Sequence, residues 1–228
     1  MNALIRLFLF LFLISTLEVN AQTRTETRRL GSFDAVKVSN SIKAELIRGN
    51  ENKIEITGSG IELEKVETAV ADGTLEIKLA RGNYKSHNVN VVVTYIDIQG
   101  IEATTSATVI AKNQIVAEEA YLYATTSSYL EADIDAIVLN VEAATNAKIH
   151  VSGKVNSLGL RAFTSAEIDG MKLVADKVEV LANTAATLYF GAIDSIDGSV
   201  ATAAKVLYIG NPRSINVKTG TGGNISKN

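Results

Sequence analysis

Apolar and polar residues alternate along most of the chain after residue 33. Three stretches have an apolar residue at every second position, namely residues 36–38, 53–57 and 74–79. This period of two is typical of a β-strand that buries one face. Residues 89–96 form a run rich in valine, which predicts a more fully buried strand. The pattern therefore predicts an all-β protein.

A short motif recurs six times in the second half of the chain, each time with a threonine at its centre. The central threonines are Thr105, Thr126, Thr145, Thr164, Thr184 and Thr202. Their spacings are 21, 19, 19, 20 and 18 residues. A period of this length made of short strands is typical of a β-solenoid, in which each repeat forms one coil that stacks on its neighbours. The repeat predicts a solenoid with coils of about 20 residues.

Alternation within one repeat predicts which side chains face the interior. One parity contains small or apolar residues together with the central threonine: Ile137, Leu139, Val141, Ala143, Thr145, Ala147, Ile149 and Val151. We expect this set to face inward, with the threonines forming an inner ladder whose hydroxyls bond to the next coil. An ice-binding surface would need outward threonines, so this parity argues against that function. Charged residues and tyrosines on the outer parity argue against it too.

Stacked coils also predict columns of outer residues. In-register stacking at about 4.8 Å per coil places His150 between Glu131 and Asp169, and Lys148 between Tyr129 and Glu167. A histidine between carboxylates could serve acid–base chemistry or bind a metal ion, because the carboxylates favour its charged form. Three exposed residues on a flat sheet form no pocket, however, so a surface charge ladder is the favoured interpretation.

Outward tyrosines are the other candidates for binding. Tyr121, Tyr123, Tyr129 and Tyr189 have outer parity. Exposed tyrosines can stack on sugar rings or anchor a protein partner, although tyrosine also simply favours strands. The sequence predicts no catalytic, cofactor-binding or metal-ligating residues, and it predicts no cofactor.

The N-terminus has the features of a secretory signal peptide. Arg6 precedes the apolar run 7–14, and residues 19–21 form a small-residue cleavage site before Gln22. The run is too short for a membrane-spanning helix, which needs about 20 residues. We therefore predict a signal peptide at 1–21, an N-terminal extension at 22–32 and a single solenoid domain at 33–228. The predicted location is the periplasm, the cell surface or the medium, with no transmembrane segment in the mature chain.

Composition narrows the function classes. The 228 residues contain no cysteine, so disulfides, thiolate nucleophiles and cysteine-based zinc sites are excluded. A formal net charge of −3 argues against nucleic-acid binding, which requires a basic face. The two histidines, His87 and His150, leave little for catalysis or metal binding.

Several segments resemble the bacterial auto-transporter adhesin, head GIN domain family, which is common in exported proteins of Bacteroidota. The similar segments are 31–38 (GSFDAVKV), 42–49, 53–58, 72–77, 207–212 and 219–225. The family's bends often read Gly-Ser-Gly, whereas here they read Thr-Ser-Ala or similar. The resemblance implies a right-handed parallel β-helix-like solenoid and an adhesin-like role, and it implies no catalytic residues.

The resulting hypothesis is a non-catalytic, exported adhesin-like interaction module whose partner is unidentified, with a glycan or a cell-surface protein as candidates. One alternative is a carbohydrate-active β-helix enzyme, a polysaccharide lyase or hydrolase. Such enzymes build groove walls from long loop insertions, whereas the repeat spacing here varies only between 18 and 21 residues. Another alternative is a self-associating structural protein of the cell envelope that stacks end to end.

Overall fold

In the part of the chain that the structure describes, seventeen strands form one hydrogen-bonded sheet that winds around a single apolar core. The computed structural model describes residues 24–84 and 87–228. The predicted signal peptide at 1–21 lies outside the described residues. Within the described ranges the only helical element is a single 3-10 turn at Leu63–Lys65, so the predicted all-β class is confirmed.

The first nine strands are short: β1 Arg24–Arg29, β2 Ala35–Val38, β3 Lys43–Arg48, β4 Lys53–Ser59, β5 Val66–Ala71, β6 Thr74–Leu79, β7 Asn88–Tyr95, β8 Gly100–Ala103 and β9 Thr108–Ala111. The central strands are longer: β10 Ile115–Thr125, β11 Tyr129–Ala144, β12 Lys148–Phe163, β13 Glu167–Ala182 and β14 Thr187–Ala201. The last three strands are β15 Lys205–Ile209, β16 Ser214–Gly220 and β17 Asn224–Lys227.

Each long strand supplies most of one coil and pairs in parallel with the same strand of the next repeat. Leu139 of β11 lies opposite Leu158 of β12, and Leu158 lies opposite Val178 of β13. The paired residues are 19 and 20 positions apart, which are repeat lengths found in the sequence. The chain is therefore a parallel β-solenoid of about seven turns, as the repeat predicts.

The first third of the chain lies partly on the same axis. Strands β2 and β3 pair in parallel with β8 and β9, so they form an early coil, and β6 and β7 pair in parallel below them. Strands β5, β4 and β1 are then added in antiparallel orientation. These antiparallel strands close the N-terminal end of the core.

Alternation predicts the interior correctly along the straight parts of each coil. In one repeat the buried residues, none more than 3% exposed, are Leu139, Val141, Ala143, Ala147, Ile149 and Val151. Ile137, which we expected inside, is 55% exposed, so that prediction was wrong. The strand bends here: neither Ile137 nor Val138 is buried, although Ala136 and Leu139 on either side are. Two successive outer residues break the period of two.

The predicted inner threonine ladder was also wrong. All six central threonines are exposed, with φ between 51° and 56°, and the residue after each has φ between 59° and 62°. Two successive left-handed residues make a sharp turn, which we call the threonine corner. Because this turn interrupts the strand alternation, Thr145 points to solvent while Ala143 and Ala147 point to the core.

Backbone hydrogen bonds connect the threonine corners of successive coils. The N–H of the residue after the central threonine donates to the carbonyl of the next coil's threonine, as in Asn146 to Thr164 at 3.0 Å and Ser165 to Thr184 at 2.9 Å. A buried hydroxyl bond between coils does occur, but at Ser128, whose Oγ donates to the Ala103 carbonyl at 2.8 Å. The corner is therefore stacked through its backbone, and its threonine hydroxyls remain at the surface.

Candidate functional site

The predicted column around His150 is confirmed. Glu131 of β11 lies opposite His150 of β12, which lies opposite Asp169 of β13. The neighbouring column is confirmed too, with Tyr129 opposite Lys148 and Lys148 opposite Glu167. In-register stacking therefore positions all six side chains on one outer face.

The groups of this face bond to their neighbours. The Tyr129 hydroxyl donates to Glu131 Oε2 at 2.8 Å, and the ring centroids of Tyr129 and His150 are 5.4 Å apart. Asp169 Oδ1 accepts the Met171 backbone N–H at 3.1 Å, and Lys148 Nζ lies 3.2 Å from Glu167 Oε2. Partial burial, then the hydrogen bond and charge of Glu131, raise the pKa of Tyr129 to about 12.

A hollow of about 240 Å³ adjoins this column and is lined by Glu131, His150 and Asp169 among others. Over residues 24–84 and 87–228, no three histidine, cysteine or acidic side chains are grouped so that they could hold a metal ion. Both carboxylates beside His150 already have hydrogen-bond donors. A row of surface groups accounts for these contacts, in which Glu131 and Asp169 are bonded to neighbours other than His150.

A second concave surface lies on the other side of the threonine corner. It is a cleft of about 220 Å³ lined by Tyr121, Tyr123, Asn140, Glu142, Gly159 and Arg161, together with the backbone of Leu122 and Val141. We call it the tyrosine cleft. Its outward tyrosines, Tyr121 and Tyr123, are half-buried, as their parity predicts.

Two glycines in one column open the tyrosine cleft. The column runs Gly100, Tyr121, Asn140, Gly159 through successive coils. The Tyr121 ring lies against Gly100, where a Cβ would collide with it. In the opposite direction, Asn140 Oδ1 lies 2.6 Å from the position that a Cβ would occupy at Gly159. Since the two side chains lean apart, the space between them stays open.

The polar groups of the cleft are available to a ligand. Glu142 lies between Tyr123 and Arg161 in the adjacent column. Within the part of the chain that the structure describes, the side chains of Asn140, Glu142 and Arg161 make no hydrogen bond or ion pair. Asn140 and Gly159 also border a shallower hollow of about 420 Å³ that extends to Lys177, Glu179 and Asp197. Together the two form one groove across several coils.

Sequence reasoning identified the two tyrosines of this cleft but missed Asn140, Glu142, Gly159 and Arg161. A signal was present: Tyr123, Glu142 and Arg161 each lie three residues before a central threonine. These residues form a column before the threonine, whereas the column of His150 lies after it.

The exposed threonine corner removes one argument against an ice-binding surface, because its threonines do point outward. The rows beside the corner still do not suit an ice-binding surface. The residues that follow the central threonines are Ser106, Ser127, Asn146, Ser165, Ala185 and Ala203, which are not a second row of threonines. The faces beside the corner carry charged residues and tyrosines.

Solved structures from three bacteria share this fold. A crystal structure from Bacteroides fragilis described as a putative adhesin has a TM-score of 0.77 and 16% identity, with 91% of this chain and 97% of that chain covered. One from Parabacteroides merdae, also described as a putative adhesin, has a TM-score of 0.75 and 15% identity, covering 92% and 97%. A structure described as a putative lipid binding protein from Parabacteroides distasonis has a TM-score of 0.67 and 16% identity, covering 92% and 98%. At these identities the likeness concerns the fold.

Among the described residues, no helix has the length and apolar character needed to cross a membrane. No match was found among curated proteins. The model of one family, "putative auto-transporter adhesin, head GIN domain", matches residues 32–212, which include nearly all of the solenoid. The chain therefore belongs to the auto-transporter adhesin, head GIN domain family.

Proposed function

We propose that this protein is a non-catalytic, exported adhesin-like module that binds a component of a cell surface. The observation that carries the proposal is the tyrosine cleft, a surface with two half-buried tyrosines and unpaired polar groups on a hydrogen-bonded scaffold. Membership of an adhesin family supports the same function. In this proposal residues 1–21 direct export and 33–228 act as one binding domain.

The shape of the surface favours binding over catalysis. The hollow beside His150 measures about 240 Å³, and the tyrosine cleft of about 220 Å³ continues into the hollow of about 420 Å³ as a groove that is open to solvent. Pockets for small molecules are instead concave sites that bury most of the ligand surface. A polysaccharide lyase or hydrolase positions its acid and base groups on either side of the scissile bond in a walled groove, whereas the hollows here are open surface features. Adhesion requires only an exposed, complementary surface.

Bead adhesion tests the proposal. Beads coated with residues 22–228 should attach to bacterial or animal cells more than beads coated with an unrelated protein of similar net charge. The same chain, incubated with a panel of polysaccharides, should release no new reducing ends and no unsaturated products. Absence of attachment to every surface would overturn the adhesin function. Product release would instead establish the carbohydrate-active enzyme.

Self-association is the second candidate. Strands β16 and β17 of the last coil pair with β14 and β15, and Ile215 on this coil is 47% exposed. Lys218 and Lys227 also lie on these strands, and lysines at a sheet edge discourage pairing with another chain. Light scattering of residues 22–228 distinguishes a self-associating protein from a monomeric binding module, because end-to-end stacking would produce species heavier than a single chain.

A further inference from the structure

We propose that the tyrosine cleft binds a neutral glycan. This inference rests on the adhesin function proposed above and assigns it a site and a ligand class. One sugar ring would occupy the space between Tyr121 and Asn140 and would also contact Tyr123 of the same cleft, and the adjoining units would follow the groove toward Lys177 and Asp197.

The shape of the cleft suits one ring of a longer polymer. Its volume of about 220 Å³ is small, but it continues into the neighbouring hollow of about 420 Å³ across Asn140 and Gly159. An extended chain can therefore lie along the surface without entering a deep pocket. The opening depends on Gly100 and Gly159, since side chains there would push Tyr121 and Asn140 back toward each other.

The chemistry of the lining suits sugars. Tyrosine rings offer flat apolar surfaces with a polar tip, which can cover the C–H face of a sugar while the hydroxyl stays hydrated. Sugar hydroxyls both donate and accept hydrogen bonds. Arg161 offers donors, Glu142 offers acceptors and Asn140 offers both, and none of the three is bonded to another described side chain.

The charge of the groove favours a neutral polymer. Carboxylates of Glu142, Glu179 and Asp197 accompany the cations Arg161 and Lys177. The whole chain carries a net charge of −3. A polyanion such as a uronate-rich polysaccharide needs a surplus of positive charge along its path, and the groove does not supply one.

A glycan also fits better than a protein partner. Protein interfaces concentrate their energy in aromatic and arginine residues that are fully desolvated at the centre of a large contact. Here the two tyrosines are interspersed with the polar side chains of Asn140, Glu142 and Arg161 rather than packed into one apolar centre. Such a lining suits a hydroxylated ligand that remains partly hydrated.

An array of neutral and uronate-bearing oligosaccharides, followed by calorimetric titration of the best neutral oligosaccharide, tests this inference. The unmodified chain should bind neutral oligosaccharides. Tyr123→Ala should weaken binding about tenfold, as expected for the loss of one aromatic contact. Tyr123→Phe should retain most of the affinity, and Arg161→Gln should weaken it. Tyr189→Ala is the matched control, because Tyr189 is also half-buried and outward but lies in the His150 column.

Thermal unfolding of each variant verifies that the fold is intact. The inference is overturned if only uronate-bearing glycans bind, if only protein ligands bind, or if Tyr123→Ala and Tyr189→Ala behave alike. If beads coated with the chain attach to cells while no neutral glycan binds, the glycan assignment fails and the adhesin function stands. If the beads attach to nothing, the adhesin function itself fails.

Discussion

Gly153 of β12 lies where the backbones of two coils approach closely, and replacing this glycine should destabilise the solenoid. Gly153 has a φ of +120°, a conformation that residues with a side chain rarely adopt. A Cβ at this position would lie well inside the contact distance of the Ile134 carbonyl oxygen, on the preceding coil. That oxygen belongs to the backbone, so it cannot move aside as the end of a flexible side chain could.

Two contributions set the size of the effect. Holding alanine in such a backbone conformation costs about 1–3 kcal/mol. Displacing the neighbouring coil to make room costs a further 1–3 kcal/mol or so, as overpacking does in protein cores. We therefore expect Gly153→Ala to lower the free energy of unfolding by about 2–6 kcal/mol. Gly198→Ala should do the same, since Gly198 has a φ of +134° and faces the Val180 carbonyl in the same way.

Denaturant unfolding followed by far-ultraviolet circular dichroism measures this effect. Gly220→Ala is the control, because a Cβ there meets nothing within 4 Å and its φ is not in the strained region. The free energy of unfolding of Gly220→Ala should stay within about 1 kcal/mol of that of the parent chain. If Gly153→Ala were as stable as Gly220→Ala, the close approach of the two coils at Gly153 would not exist in solution and the reasoning would be refuted.

Three smaller predictions concern single side chains. The Tyr95 hydroxyl is buried and has no hydrogen-bond partner among the residues that the structure describes. Tyr95→Phe should therefore leave the free energy of unfolding unchanged or raise it by up to about 3 kcal/mol in denaturant unfolding, and a clear loss would contradict the unpaired hydroxyl. Thr145 has a φ of 54°, a conformation that asparagine adopts more readily than threonine. Thr145→Asn should therefore raise the free energy of unfolding by about 1 kcal/mol. A decrease would show that the threonine side chain itself stabilises the corner. The pKa of Tyr129 is raised from 10.0 to about 12, so the unfolded chain ionises first and stability should fall as pH rises from 10 toward 12. Glu131→Gln should bring the pKa of Tyr129 back toward 10.0 in an ultraviolet titration, and an unchanged titration would mean that the Tyr129–Glu131 hydrogen bond is absent in solution.

The outer columns could be predicted because they depend on one number, the repeat length. Once the coils stack in parallel and in register, residues one repeat apart must lie beside each other. His150 therefore lies between Glu131 and Asp169, as expected. The buried residues Leu139 and Val141 follow equally directly from the strand period.

The threonine corner could not be predicted in the same way. Its orientation depends on two successive left-handed residues, and β-branched residues rarely adopt that conformation. A threonine in this position therefore does not indicate a turn. A period of two that continues through Thr145 then predicts that its side chain is buried, whereas it is exposed. The tyrosine cleft depends on which way side chains lean toward a glycine one coil away, so Tyr121 and Asn140 separate only once Gly100 and Gly159 are seen in their column.

The antiparallel strands at the N-terminal end help to hold the strands of the tyrosine cleft in place. Strand β1 has little apolar alternation and exists through its antiparallel pairing with β4. From it, the Arg28 guanidinium donates to the carbonyls of Val66 at 2.6 Å and Leu63 at 3.1 Å, and the side chains of these two residues are buried. A solenoid is as stable as its caps and its coil-to-coil contacts allow. Strands β10 to β12, which carry the tyrosine cleft, are hydrogen-bonded on both sides, between this cap and the later coils. The backbone that carries the cleft is thus held in place before a ligand arrives, and a preorganised backbone loses less entropy on binding.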